Sequence, residues 1–331
     1  MVGLKLSKKN CLLYWCGLCA LLLVGCSEPT KELSEESEAA PAQPARLALV
    51  VKYLGNPFFD EVARGATQAA KELGVDLSVY STAGASGAQQ IQTLKKLKYE
   101  GIDGIILMPV NSEQLIPAVV EVMMAGIPLM TIDTPLASTE FTENGLKAPP
   151  LITVDNGQAA YDVARFVLEQ MTTPAQVLVL TGPRQAINIR ERYFGFVRAV
   201  QDAPNAQLAA EMKTQWTILD GYQVSRQQFQ HDPTINVVLA ANDLLALGAA
   251  KAAAELNRKV SIAGYDNLAE AREAIALGQL TATIDQSAFA QGYQGVVSTL
   301  KLMEQQPVDD NVLLPVSIVS KETLDAFTPT R

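Results

Sequence analysis

Residues 53–62 read Tyr53-Leu54-Gly55-Asn56-Pro57-Phe58-Phe59-Asp60-Glu61-Val62 and stand between two segments of different period. Residues 47–52 form an apolar run ending in Lys52 and predict a buried strand, whereas residues 58–73 carry apolar and small side chains at helical spacing. Asn56 to Phe59 therefore make a strand-to-helix turn. Pro57 suits the first turn of the helix, because it has no amide hydrogen to leave unpaired and its φ is already helical. Two adjacent phenylalanines on a helix point about 100° apart, so they cannot both face one flat core. At least one should look into the space beyond the strand end, where parallel α/β sheets bind their ligands. The alternative is that both rings are ordinary core.

The alternation continues on both sides of this turn. Strands are predicted at residues 47–52, 76–80, 104–108, 128–132 and 151–154, with helices near 58–73, 87–99 and 112–125. A second set has strands at 176–181, 207–213, 236–240, 261–263 and 281–284, with helices near 158–171, 190–200, 220–230, 243–256 and 268–277. Such a pattern calls for doubly wound parallel sheets with helices on both faces. One core rarely grows past about 250 to 300 residues, so a body of this length divides into two lobes. A long charged loop at 135–150, with proline at each end, separates the fourth and fifth strands. A last helix near 289–305 and a strand at 313–320 follow the second set, so the chain crosses between lobes more than once.

The amino-terminal residues are of another kind. Lys5, Lys8 and Lys9 precede an apolar run from Cys11 to Val24, too short to span a bilayer, then Gly25-Cys26. This is the form of an export signal. Leu23-Val24-Gly25-Cys26 resembles a bacterial lipobox, which makes residues 1–25 the signal and Cys26 the lipid-attachment residue. An uncleaved anchor is the competing reading. Residues 26–45 are rich in Glu, Ser, Pro and Ala and predict a flexible spacer before a body that starts near Arg46.

Of the four cysteines only Cys26 survives cleavage, and His231 is the single histidine. Neither a disulfide within one mature chain nor a thiolate or imidazole metal site can be built from that inventory, and no metal or cofactor is expected. Loss of the three signal lysines takes the 26 basic residues to 23 against 35 acidic ones, a net −12. That surface repels nucleic acid and gives no electrostatic attraction to anionic membranes. The lipid alone would hold the protein to a membrane, in the periplasm or cell envelope.

Polar residues recur at the carboxyl ends of the predicted strands or the starts of the next helices. Asn56, Asp133, Asp155-Asn156, Asn242-Asp243, Asp266 and Gln286 stand there, with Arg190-Glu191-Arg192 just beyond Thr181-Gly182-Pro183. Asp and Asn are preferred helix caps, and Asn242 or Asp243 and Asp155 or Asn156 are the strongest candidates for that plain role. Together the set suits a polyhydroxylated ligand: carboxylates accept from hydroxyls, arginine donates, and carboxamides do both. Phe58, Phe59 and Trp216 could offer ring faces to the C–H faces of a sugar.

From residue 47 to about 320 the chain resembles periplasmic sugar-binding proteins of the ribose-binding type, which share their fold with LacI-type effector domains. The resemblance rests on Asn56-Pro57-Phe58-Phe59, Thr131-Ile132-Asp133, Arg190-Glu191-Arg192-Tyr193-Phe194-Gly195-Phe196, Ala241-Asn242-Asp243, Gly264-Tyr265-Asp266 and Ala282-Thr283-Ile284-Asp285-Gln286. It implies a type I periplasmic binding protein fold with lobes at 46–154 plus 286–318 and 155–285 plus 319–331. It also implies that Asn56, Asp133, Arg192, Asn242, Asp266 and Gln286 hydrogen-bond a sugar while Phe58, Phe59 and Trp216 enclose its ring. The hinge crossings would fall near Val154-Asp155, near Asp285-Gln286 and at residues 316–320. The implied partner is an ABC permease, with a chemoreceptor or sensor kinase as the alternative reader, and the receptor would be a monomer.

Thr134 departs from that pattern, since ribose binders have an arginine there. A shorter, uncharged side chain predicts more room, one fewer strong donor and, with Asp133 and Asp266 against Arg192, a site carrying one net negative charge. A neutral monosaccharide or polyol fits that charge better than an acidic sugar. A furanose signal or a non-sugar metabolite on the same fold is the alternative ligand. Arg192→Ala and Asp266→Ala are each expected to abolish binding without unfolding the protein. Read as an enzyme, Asp133 and Asp266 would be a glycosidase pair, but no nucleophile elbow, Walker loop or dinucleotide turn accompanies them. A repressor is ruled against by the export signal standing where a DNA-binding domain should be.

Overall fold

A computed structural model describes residues 43–137 and 139–324. The predicted signal, Cys26, most of the spacer and residues 325–331 lie outside the described residues. The chain opens with β1 (Arg46–Val50), α1 (Pro57–Leu73), β2 (Asp76–Tyr80), α2 (Gly87–Leu97), β3 (Gly104–Leu107), α3 (Ile116–Met124), β4 (Leu129–Ile132), α4 (Thr139–Glu143) and β5 (Leu151–Thr153). It continues with α5 (Asn156–Glu169), β6 (Ala175–Thr181), α6 (Ile187–Asp202), β7 (Ala206–Lys213), α7 (Ile218–His231), β8 (Val237–Ala240), α8 (Asp243–Glu255), β9 (Ser261–Ala263), α9 (Ala269–Ala276) and β10 (Ala282–Asp285). The last elements are α10 (Ala288–Met303), β11 (Asn311–Leu313) and β12 (Ser317–Ser320).

The strands form two six-stranded sheets, ordered β11-β5-β4-β3-β1-β2 and β12-β10-β9-β8-β6-β7. All pairs are parallel except β10 with β12. Burial on both faces explains the unbroken apolar runs. Leu47 and Leu49 of β1 join Val62 and Ala66 of α1 and Val296 of α10, while Ala48 and Val50 on the opposite face join Leu94 and Leu97 of α2. In the second sheet Val177 and Val179 meet Val163 of α5 and Phe196 of α6, whereas Leu178 and Leu180 lie with Phe229 of α7 and Leu245 of α8. The sequence pattern thus gives the observed doubly wound pair of lobes.

The helix pairs approach closely. A Cβ on Gly65 would lie 2.0 Å from the Phe289 carbonyl oxygen and one on Gly292 would lie 1.9 Å from that of Val62. Glycine at these two points lets α1 and α10 touch through their backbones, which binds a helix from the end of the chain to the first helix of the body.

Among the described residues three segments pass between the sheets, at Val154-Asp155, at Gln286-Ser287 and at Leu314 to Val316. The last lies earlier than the sequence suggests, because residues 313–320 are not one strand. β11 pairs with β5 in the first sheet and β12 with β10 in the second. Pro315 sits between them with no amide hydrogen for a ladder, so the apolar run breaks there. Ser317 and Ile318 therefore belong to the second sheet and not to the first lobe. Ser287 holds φ at 55° and donates its hydroxyl to the Pro315 carbonyl at 2.8 Å, tying two crossings together.

Candidate functional site

The carboxyl ends of both sheets face one cavity of about 500 Å³. That volume lies within the range of small-molecule pockets. Its wall includes Asn56, Phe58, Phe59 and Asp133 from the first lobe and Arg192, Trp216, Asn242, Asp266 and Gln286 from the second side and the crossing. These are all the residues expected of the site except Thr134, which is fully buried behind the wall.

The first-lobe wall is set by the turn between β1 and α1. Asn56 caps α1, its Oδ1 accepting from the Phe58 amide at 3.0 Å, and its Nδ2 donates to the Tyr53 hydroxyl at 3.2 Å. Phe58 and Phe59 are both buried and pack edge to face with centroids 5.4 Å apart, and Tyr53 packs on Phe59 at 5.0 Å. Both readings of the phenylalanines hold at once: they belong to the core and also line the cavity.

Asp133 follows β4 with φ at 64°, in the left-handed region. Its Oδ2 accepts from Lys52 Nζ at 2.6 Å, Thr134 Oγ1 at 2.7 Å and Asn188 Nδ2 at 3.2 Å, the last reaching over from the other lobe. Burial alone would raise its pKa, but the charges of Lys52 and Arg192 and the bonds from Lys52 and Thr134 hold it below the ordinary aspartate value.

The second-lobe wall is a network around Arg192. Its Nε donates to Asn156 Oδ1 at 2.8 Å, Nη1 to the Ala241 carbonyl at 2.9 Å and Nη2 to Gln286 Oε1 at 3.0 Å. The guanidinium lies over the Tyr265 ring at 3.7 Å. Gln286 in turn donates to Asp266 Oδ1 at 2.5 Å, and Arg192 Nη1 stands 3.8 Å from the same oxygen. Burial drives the Asp266 pKa well up against the opposing charge of Arg192, with Asp243 and Asp133 adding to the rise. Asn242 caps α8 through Oδ1, leaving its amide hydrogens for other partners. Asp155 caps α5, so the plain capping role assigned to these positions is real for both.

Trp216 is held at φ 69°, and its ring fills the space a Cβ on Gly182 would need, with the Cε2 and Cζ2 atoms 2.0 Å from that position. Non-glycine residues at positive φ cost energy. Asp133, Trp216 and Asp266, the last at φ 127°, place that strain around one cavity.

The lobes also meet beside the cavity. The Ser112 amide donates to the Gln185 carbonyl at 3.1 Å, and Ser112 Oγ accepts from the Ile187 amide at 2.9 Å. Among the described residues there is no cluster of three or more His, Cys, Asp or Glu that could hold a metal, and no helix long and apolar enough to cross a membrane.

Residues 47–307 match the model of a periplasmic binding protein domain. This chain is a periplasmic binding protein. It is 29% identical over 316 residues to the D-ribose/D-allose-binding protein of Pseudomonas aeruginosa, covering 92% of this chain and 97% of that one. It is 28% identical to the D-allose-binding periplasmic protein of Escherichia coli over 78% of this chain and 83% of that one. Among solved structures, an ABC transporter solute-binding protein of Actinobacillus succinogenes with bound D-allose superposes with a TM-score of 0.82 at 28% identity, over 86% of this chain and all of that one.

In this periplasmic binding protein the wall also holds residues that the sequence does not mark, and Lys52 and Asn188 are the two that bond to Asp133. Lys52 read as the tail of a strand, but β1 ends at Val50 and the lysine is turned toward Asp133 and Thr134, to whose Oγ1 it donates at 2.8 Å. The expected deficit of one positive charge beside Thr134 is therefore corrected: Lys52 supplies a second cation to the site besides Arg192. Lys52 arrives 82 residues earlier in the chain than Thr134, so no local motif announces the replacement. Asn188 lay before the expected helix start at 190, and α6 begins at Ile187 instead.

Proposed function

We propose that this protein captures one neutral monosaccharide or polyol between its two lobes and presents it to an ABC permease. The observation that carries the reading is the convergence on one cavity of Asp133 and its lysine from one lobe and Arg192, Asp266 and Gln286 from the other side. Only a closed cleft offers a ligand both sets, so the ligand shifts an open–closed equilibrium by its differential affinity. Both cations are already engaged by protein groups, Lys52 by Asp133 and Thr134 and Arg192 by Asn156, Ala241 and Gln286. Among the described residues of the cavity wall no unpaired cation is left for a phosphate or carboxylate, which keeps the preference for a neutral sugar although the charge argument from Thr134 alone has gone.

The relatives named for D-ribose and D-allose make an aldose of that kind the first ligand to test. A monosaccharide of about ten to twelve heavy atoms, at roughly −0.8 kcal/mol each, binds at micromolar or better. The wall residues Asn56, Asp133, Arg192, Asn242, Asp266 and Gln286 would hold hydroxyls, and Phe58, Phe59 and Trp216 the ring faces. Thr134 would act one step back, by holding Asp133 and Lys52. Lipid attached at Cys26 would keep a monomeric receptor at the membrane beside its permease. The test is calorimetric titration of D-allose, D-ribose, D-arabinose and myo-inositol into the purified protein. One sugar standing clear of the rest names the cargo; a folded protein that takes up none of them overturns the reading.

A further inference from the structure

Asn188 is 2% exposed and lines the same cavity as Asp133 and Arg192, from the first turn of α6. Its Nδ2 donates across the lobes to Asp133 Oδ2 at 3.2 Å. That bond fixes which way the amide faces, because a carboxylate oxygen accepts and only the –NH2 end can serve it. The carbonyl Oδ1 is thereby directed away from Asp133. It is buried and has no hydrogen-bond partner. A buried acceptor left unpaired is unfavourable, and such a group calls for an explanation. On Asp133 itself the three donors all converge on Oδ2, so Oδ1 is the oxygen that remains for a ligand.

We infer that Asn188 is a specificity-determining residue of the sugar site, whose carbonyl oxygen accepts a hydrogen bond from a ligand hydroxyl that Asp133 does not hold. The inference rests on the sugar-binding reading above. It assigns two acceptors from opposite lobes to two different hydroxyls, with the amide of Asn188 bridging the lobes between them. A ligand lacking the second hydroxyl would leave the Asn188 oxygen unpaired in a closed, dry cleft and would be discriminated against for that reason.

The test compares wild type with Asn188→Ala by calorimetry, using whichever of D-allose, D-ribose, D-arabinose or myo-inositol binds wild type tightest, together with its monodeoxy analogues. The variant removes the bridge to Asp133 and weakens every ligand by a common factor. Beyond that factor, one analogue is spared roughly three- to tenfold relative to the parent sugar, since it lacks the hydroxyl that Asn188 reads. Ratios that stay flat across the analogues, or a parent affinity that does not change, overturn the assignment and leave Asn188 a bridge between lobes. Asn188→Ser serves the same comparison should the alanine variant lack a cooperative melting transition. A wild type that binds none of the four parents overturns the sugar reading itself, an outcome distinct from flat ratios.

Discussion

Lys52 and Asp133 form an ion pair of 2.6 Å in which the lysine side chain is 11% exposed and the aspartate 3%. Removing one partner of a buried pair costs about 3–5 kcal/mol, because the remaining charge loses its compensation. Lys52→Met is expected to lower stability in urea by that order and to weaken sugar binding at least tenfold. Adding Asp133→Asn should restore much of the stability and none of the binding. Additive losses in the double variant, measured by urea unfolding, would separate the two residues.

Arg192→Ala removes three hydrogen bonds and the stack on Tyr265, and it leaves Asp266 buried without its cation. The sequence alone suggests a loss of binding with an intact fold. The network instead predicts that binding and stability fall together, with a melting temperature lower by several degrees. Asp266→Asn, which keeps the acceptor for Gln286, should cost binding with far less effect on melting. Equal melting temperatures for wild type and Arg192→Ala would count against the network.

Gly182→Ala places a methyl group where the Trp216 ring lies. The indole must leave its seat on the cavity wall. Affinity for the sugar should fall severalfold while the unfolding midpoint moves little, since Trp216 is only half-buried. In a chain starting after Cys26, Trp216 is the one remaining tryptophan, so its fluorescence should report sugar binding in wild type and shift in the variant before any sugar is added.

Burial pushes the Asp243 pKa up to about 6, against bonds from the Thr283 hydroxyl and the Leu268 amide, and raises that of Asp266 as well. Between the unfolded value of 3.8 and about 6, the folded protein keeps protons that the unfolded chain has released, so stability falls as pH rises through that window. Asp133 acts in the opposite sense, but its lowered pKa confines the loss to below 3.8. The melting temperature of the sugar-free protein should be higher at pH 5 than at pH 7, and Asp243→Asn should flatten the difference. A wild-type melting temperature that climbs from pH 5 to pH 7 would contradict the burial of these groups.

Ser112→Ala deletes the hydroxyl that accepts from the Ile187 amide between the lobes. A neutral hydrogen bond of this kind contributes about 0.5–1.5 kcal/mol. If it stabilises the closed form, sugar should leave the variant roughly three- to tenfold faster in stopped-flow displacement, with the association rate nearly unchanged. A variant that releases sugar at the wild-type rate would leave this contact without a part in closure.

The fold was legible because strand and helix periods alternate and the parallel strands are apolar on both faces, as in Leu47 to Val50. Strand ends were legible as places where Asp133, Asp266 and Asn242 stand. What could not be read was pairing at long range. Nothing beside Thr134 shows that its missing charge comes from Lys52, and nothing beside Asp133 shows that Asn188 reaches it from the other lobe. The single strand read at 313–320 also concealed a crossing, because two apolar runs on either side of Pro315 look continuous in sequence while serving different sheets.

The close pairing of α1 with α10 has a bearing on how the molecule is made. The first lobe gains the helix that packs on α1 and its edge strand β11 only once residues 288–313 have been made. The second sheet likewise waits for β12. Neither lobe can complete its sheet until residues 311–320 have been made, so the two cores finish folding late and together.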